Sequence, residues 1–187
     1  MADRVENGGG QRVSRWRIVP WAIAAFLLLL PLVAMQFTNE VDWDETDFIV
    51  MGLLLFGACG AFELAARMTG NTAYRAAVGV AVVAAFLLIW INLAVGIIGS
   101  EDNPANLMYF GMLGLGLVGA FIARFRADGM ARALVAMALA QGLIAVITLA
   151  AGLGSEGENW PRVILVLNGF FATLWLASAW LFRKAAR

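Results

Sequence analysis

The sequence predicts an all-α integral membrane protein of six transmembrane helices, grouped as three tandem helical hairpins with short loops. Three observations carry that reading. The 187 residues are 62% hydrophobic with a mean hydropathy of +0.82, against about 45–50% apolar residues in a soluble domain. The apolar residues gather in runs near the roughly 20 residues that cross a hydrocarbon core. Acidic loops and basic turns alternate between the runs, so that apolar run, acidic loop, apolar run and arginines recur three times.

Residues 1–17 are polar, contain Gly8-Gly9-Gly10 and carry Arg4, Arg12, Arg15 and Arg17; they read as a flexible basic cytoplasmic tail. The membrane domain follows over 18–184, with spans expected at about 18–37, 48–68, 76–99, 105–125, 130–154 and 162–183. Trp16 and Trp21 flank the first entry into the bilayer, and Pro20 suits a first helical turn. The first run exceeds the apolar segment of a signal peptide, and no small-x-small cleavage pattern follows it, so it reads as a retained helix. Pro31 within it predicts a kink.

Charge gives the expected orientation. Six spans place 12 of the 13 Lys and Arg on one side, with only Arg162 opposite, and 9 of the 13 acidic residues in the three opposite loops. Basic residues are retained in the cytoplasm, so both termini are expected there, with the acidic loops external.

Two motifs repeat. Gly60-Ala61-Phe62 recurs as Gly119-Ala120-Phe121, with Arg67 and Arg126 following at the same offset, and Gly99-Ser100-Glu101 recurs as Gly154-Ser155-Glu156. The copies are an even number of spans apart, which fits parallel duplication of a hairpin.

Composition excludes much chemistry. There is no histidine, one cysteine (Cys59) and one lysine (Lys184, at the end of the last run). Histidine-held haem, di-iron and copper sites, most zinc sites, Ser-His and Cys-His pairs, an internal disulfide and a buried retinal lysine all lack their residues. Gly114-x-Gly116-x-x-Gly119 has the lettering of a dinucleotide fingerprint but no preceding strand. Glycine on an apolar helix instead lets a second backbone approach closely, which predicts helix packing at Gly57, Gly60, Gly111, Gly114, Gly116 and Gly119. Neither a catalytic constellation nor a metal or cofactor site is expected.

The polar residues inside the spans are the remaining candidates. Asn92, Thr148 and Asn168 each lie six or seven residues from the acidic end of their span, about 10 Å deep at 1.5 Å per residue, with Gln141 deeper. They read as interhelical hydrogen bonds worth about 0.6 kcal/mol each, or as a small polar cavity for a cation or polar solute. Glu63, the only carboxylate within a span, has Arg67 four residues later on the same face. A helix-end ion pair is the plain reading and a proton or cation site the sharp one. Asp42, Asp44, Asp47, Glu101, Asp102, Glu156 and Glu158 form the acidic loops; Asp42 to Asp47 alternates like a calcium loop but lacks its glycine and terminal glutamate.

Gly70-Asn-Thr-Ala-Tyr-Arg75, Trp90-Ile-Asn-Leu-Ala-Val-Gly-Ile-Ile-Gly-Ser-Glu-Asp-Asn-Pro-Ala-Asn-Leu-Met-Tyr-Phe110 and Gly119-Ala-Phe-Ile-Ala-Arg124 resemble a family of small bacterial multi-span inner-membrane proteins of no assigned function. The resemblance covers about the middle third of the chain. It implies the membrane and no activity or site residue. Two functions are therefore expected: a non-catalytic subunit, assembly partner or homo-oligomeric membrane component, or a small transporter or channel for a cation or polar solute. The partners implied are the lipid bilayer and other membrane subunits or a second copy, with no nucleic acid.

Overall fold

The structure, a computed structural model, describes residues 18–38, 41–157 and 159–187. The basic tail, Glu40 and Glu158 lie outside the described residues. Everything regular among those described is helical: α1 Val19–Ala34, α2 Glu45–Met68, α3 Thr72–Ala94, a 3-10 turn Pro104–Asn106 leading into α4 Leu107–Ile122, α5 Ala127–Ala150 and α6 Arg162–Ala185. Five of these, counting the 3-10 turn with α4, are long and apolar enough to cross a bilayer. With 16 residues, α1 is about 24 Å long, short of the roughly 30 Å hydrocarbon core. Large apolar side chains stay exposed on the helices, Leu115 (69%), Ile122 (79%) and Leu139 (71%) among them, which suits hydrocarbon surroundings and not water.

The helix boundaries differ from the sequence expectation by three to five residues at most ends, and local chemistry explains the shifts. α2 starts at 45 instead of 48 because Asp44 and Asp47 cap it reciprocally. The Asp47 amide donates to Asp44 Oδ1 (3.0 Å) and the Asp44 amide to Asp47 Oδ2 (3.1 Å). Trp43 meets Phe48 edge-on at 5.2 Å, the apolar staple that often accompanies such a box. α3 starts at 72 because the Asn71 side chain accepts the Ala73 and Tyr74 amides. It ends at Ala94 because Gly96 turns left-handed, at φ +69.

The chain divides into two compact units, Met1–Cys59 and Gly60–Arg187. In the first, α1 and the leading half of α2 run antiparallel. Trp21 stacks on Phe56 at 5.9 Å, the Cys59 thiol donates to the Pro20 carbonyl at 3.5 Å, and Gly52 faces Leu28. This is the first expected hairpin.

In the second unit α6 packs between α3 and α5, and α5 between α4 and α6, while α3 and α4 touch only sparingly. α5 and α6 thus pack as a hairpin, as expected. α3 and α4 are consecutive but pack chiefly on α6 and α5 respectively. Their core is Leu88, Ile97, Ile98, Tyr109, Ile164, Phe171, Trp175 and Phe182, all below 2% exposure. Two of the expected packing glycines set the α4–α5 approach. A Cβ on Gly116 would overlap the Met137 thioether, and one on Gly119 would lie 3.0 Å from Ala133 Cβ. On Gly57, Gly60, Gly111 and Gly114 a Cβ would meet nothing within 4 Å among the described residues. Among the described residues a close approach is thus seen at Gly116 and Gly119 and not at the other four.

Candidate functional site

Burial in hydrocarbon leaves a polar side chain no water to bond, so each must find a partner within the protein. The centre of the second unit meets that demand with a chain of four side chains from three helices. Asn168 on α6 anchors it, donating from Nδ2 to its own helix at the Ile164 carbonyl (2.8 Å) and to the Tyr109 hydroxyl of α4 (3.0 Å). The Tyr109 hydroxyl donates back to Asn168 Oδ1 at 3.3 Å. Gln141 on α5 donates from Nε2 to the same oxygen at 2.9 Å. Gln141 Oε1 in turn accepts the Trp175 indole N–H at 3.2 Å. All four residues are at most 3% exposed. Trp175 lies seven residues beyond Asn168 on α6, about 10 Å further along the axis.

Two of the four predicted polar residues, Gln141 and Asn168, are thus brought into direct contact. The other two are not joined to them by hydrogen bonds. Asn92 is buried and donates to the Leu88 carbonyl of its own helix at 2.8 Å, and its Oδ1 has no partner among the described residues. Thr148 is fully buried and its hydroxyl has no partner among the described residues. Tyr109 and Trp175 complete the chain. In the sequence Tyr109 is one more member of an apolar helix, and its only signal is that a buried phenol needs a partner; Trp175 reads there as packing. This chain matches no protein-family model, no curated protein and no solved structure. Its function has to be argued from these side chains alone.

At the acidic end the repeated Gly-Ser-Glu motif acquires a physical meaning. Gly99 and Gly154 are both left-handed, at φ +74 and +73, and they pack on each other. A Cβ on Gly154 would lie 2.6 Å from the Gly99 nitrogen, and one on Gly99 would lie 3.4 Å from the Gly154 Cα. The two copies of the motif are the facing halves of a clasp between the α3–α4 and α5–α6 loops. Asn106 holds the first loop in place. Its side chain accepts the Ile97 and Ile98 amides (3.1 and 2.9 Å) and donates to the Ser100 carbonyl (2.7 Å). Ile97 and Ile98 are thereby turned inward and fully buried.

The described acidic residues of the loops are caps or lie exposed. Asp44 and Asp47 spend carboxylate oxygens on the α2 cap, and Asp42, Glu101, Asp102 and Glu156 lie at the surface of their loops. No group of three or more His, Cys, Asp or Glu able to hold a metal occurs among the described residues. Glu63 accepts from Arg67 Nε at 2.9 Å, with the arginine side chain 67% exposed and the glutamate 16%. The two side chains form an i, i+4 ion pair near the end of α2.

The basic end is fastened by side chains. The Tyr74 hydroxyl donates to the Phe125 carbonyl at 2.6 Å and its ring meets Phe182 edge-on at 4.9 Å. Asn71 Nδ2 reaches the Ala185 carbonyl at 3.2 Å. Arg75 donates to the Thr69 and Ala66 carbonyls, bracing the α2–α3 turn. Next to this fastening lies a cavity of about 590 Å³ whose walls come from α2 to α6 and are almost wholly apolar.

Proposed function

We propose that this protein is a non-catalytic, multi-pass component of a bacterial inner membrane, a small subunit or assembly partner of other membrane proteins or of its own copies. In this reading α1 and its flanking turn complete a six-span topology. Both termini and the arginine-rich turns are cytoplasmic, and the acidic loops are external. One observation carries the functional part: the four-residue polar chain closes on itself. Gln141, Asn168, Tyr109 and Trp175 spend their principal donors and acceptors on one another and on the α6 backbone. They act as interhelical fastening. The Glu63 pair with Arg67 likewise leaves that carboxylate engaged near the end of α2. At Gly111 and Gly114 on α4 a side-chain carbon would meet nothing within 4 Å among the described residues. That open stretch supports a surface that another helix can approach.

Native mass spectrometry after extraction in mild detergent tests this reading. A stoichiometric foreign subunit, or a defined homo-oligomer, is the expected result. A strictly monomeric species that moves solute in liposomes overturns it.

The buried, unpartnered Asn92 Oδ1 and Thr148 Oγ1 favour the second reading, a small transporter or channel. Each costs about 1–3 kcal/mol unless something bonds it. If they serve a permeating cation or polar solute, Asn92→Leu and Thr148→Val abolish flux. If they are packing defects, both variants keep the liposomes as tight as the native protein does.

A further inference from the structure

The apolar cavity of the second unit has the shape, surface and charge setting of a lipid site. It follows α3 from Tyr74 to Ile89, 15 residues and therefore about 22 Å. Its volume of about 590 Å³ falls within the roughly 300–1,000 Å³ usual for small-molecule sites. Spread over that length it gives a mean section of about 27 Å², which suits one extended hydrocarbon chain. It runs from surface to core: Met68 and Leu117 on its wall are 62% and 59% exposed, whereas Trp175 and Phe182 are 1% and 0%.

The lining selects against a polar occupant. Its two conspicuous polar atoms, the Tyr74 hydroxyl and the Trp175 indole nitrogen, are bound to the Phe125 carbonyl and to Gln141 Oε1. A quinone or sugar entering here would find no donor for its oxygens, at a desolvation cost that a methylene chain does not incur.

The charges lie at one end. Phe125 lines the cavity, and Arg124 and Arg126 flank it. Both are exposed, and neither forms a salt bridge among the described residues. Arg124 and Phe125 are held left-handed, at φ +50 and +56, a conformation that non-glycine residues adopt at a cost. The Tyr74 bond to the Phe125 carbonyl fixes that turn. Asp128 is the carboxylate nearest in sequence, in the first turn of α5; Glu63 is occupied by Arg67 and Arg75 by backbone carbonyls. Basic pockets between membrane helices bind anionic headgroups, and guanidinium matches a phosphate fork.

We infer that the cavity holds one acyl chain of an anionic phospholipid, whose phosphate is met by Arg124 and Arg126. The site goes beyond the proposed subunit role and does not depend on it, since a monomer and an oligomer would bind the lipid alike.

The test is native mass spectrometry of the delipidated full-length protein, titrated with dioleoyl phosphatidylglycerol or dioleoyl phosphatidylcholine in the same detergent. One phosphatidylglycerol per chain is expected, bound at least tenfold tighter than phosphatidylcholine. Arg124→Gln with Arg126→Gln is expected to remove that preference. Ala81→Phe, which fills the cavity from α3 and leaves the arginines in place, is expected to lower retention of both lipids tenfold. If Ala81→Phe does not fold, Ala85→Leu on the next turn serves the same purpose. Equal binding of the two lipids, a preference that survives loss of both arginines, or retention unchanged by the filling substitution each overturns the site.

Discussion

The two ends of the α3–α6 bundle are closed by opposite means. At the acidic end, backbone meets backbone: Gly99 and Gly154 are left-handed and so close that a side-chain carbon on Gly154 would collide with the facing loop. Asn106 then turns two isoleucines inward to fill the space beneath. At the basic end no such left-handed glycine pair occurs among the described residues; Gly129, at the start of α5, packs on Ala123 instead. Arg124 and Phe125 take up left-handed angles themselves, and one tyrosine hydroxyl ties the turn to α3. Glycine lets the two acidic-end loops meet backbone to backbone. At the basic end Phe125, in the same left-handed conformation, lines the apolar cavity.

On this contrast the acidic end tolerates least. Gly154→Ala combines a left-handed alanine, roughly 1–2 kcal/mol, with overpacking against Gly99, roughly 1–3 kcal/mol. A loss of about 2–5 kcal/mol is expected from these terms together, read as unfolding in detergent. A loss no larger than that of an exposed-loop substitution would mean that the two loops are not clasped. Asn106→Ala comes next. It strands two buried amides and a carbonyl and is expected to cost about 2–3 kcal/mol, less than the glycine change because the loop can relax toward water.

Between the two ends, the polar chain is expected to be worth less than its number of bonds suggests. Asn168→Leu removes the acceptor of Gln141 and both bonds to Tyr109. Hydrogen bonds between membrane helices average only about 0.6 kcal/mol, because the unfolded helices find other partners in the bilayer. A loss of about 1–2 kcal/mol is expected, for three such bonds, with the Trp175 fluorescence altered because Gln141 is freed to move. Unchanged emission would show that the chain is not continuous to Trp175.

The extent to which this was legible in the sequence follows from range. Apolar runs, acidic loops and basic turns placed the helices, because hydropathy is a local property. The boundaries were missed by a few residues where Asp44, Asp47 and Asn71 act as caps, short-range signals that a hydropathy reading overruns. Gln141 and Asn168 could be named as polar residues in apolar helices, but not as partners, since 27 positions separate them and pairing depends on how α5 and α6 rotate. Tyr109 gave one signal, a phenol within a span. The hairpin rule failed for α3 and α4 because chain adjacency does not dictate which faces pack. The repeated Gly-Ser-Glu was legible as a repeat and illegible as a contact.

At the basic end the expected losses are smaller, and they distinguish fastening from shape. Tyr74→Phe keeps the ring on Phe182 and deletes the 2.6 Å bond to the Phe125 carbonyl. It is expected to cost about 1 kcal/mol, the usual net value of one hydrogen bond. Thermal unfolding checks the figure. A loss as large as that of Gly154→Ala would make the two ends equivalent and remove the contrast.

Glu63→Gln is the smallest change and separates two meanings of a charge in a membrane helix. Its partner Arg67 is four residues on and largely exposed, and pairs of that kind contribute about 0.3–0.5 kcal/mol. A shift in stability within about 0.5 kcal/mol is therefore expected, together with unchanged lipid binding, because the phosphate is assigned to Arg124 and Arg126. A carboxylate that carried protons or cations would behave differently: its neutral amide would leave stability alone and abolish transport in liposomes. Measuring unfolding and flux on the same preparation decides the matter. The ion pair requires a small change in the first and none in the second.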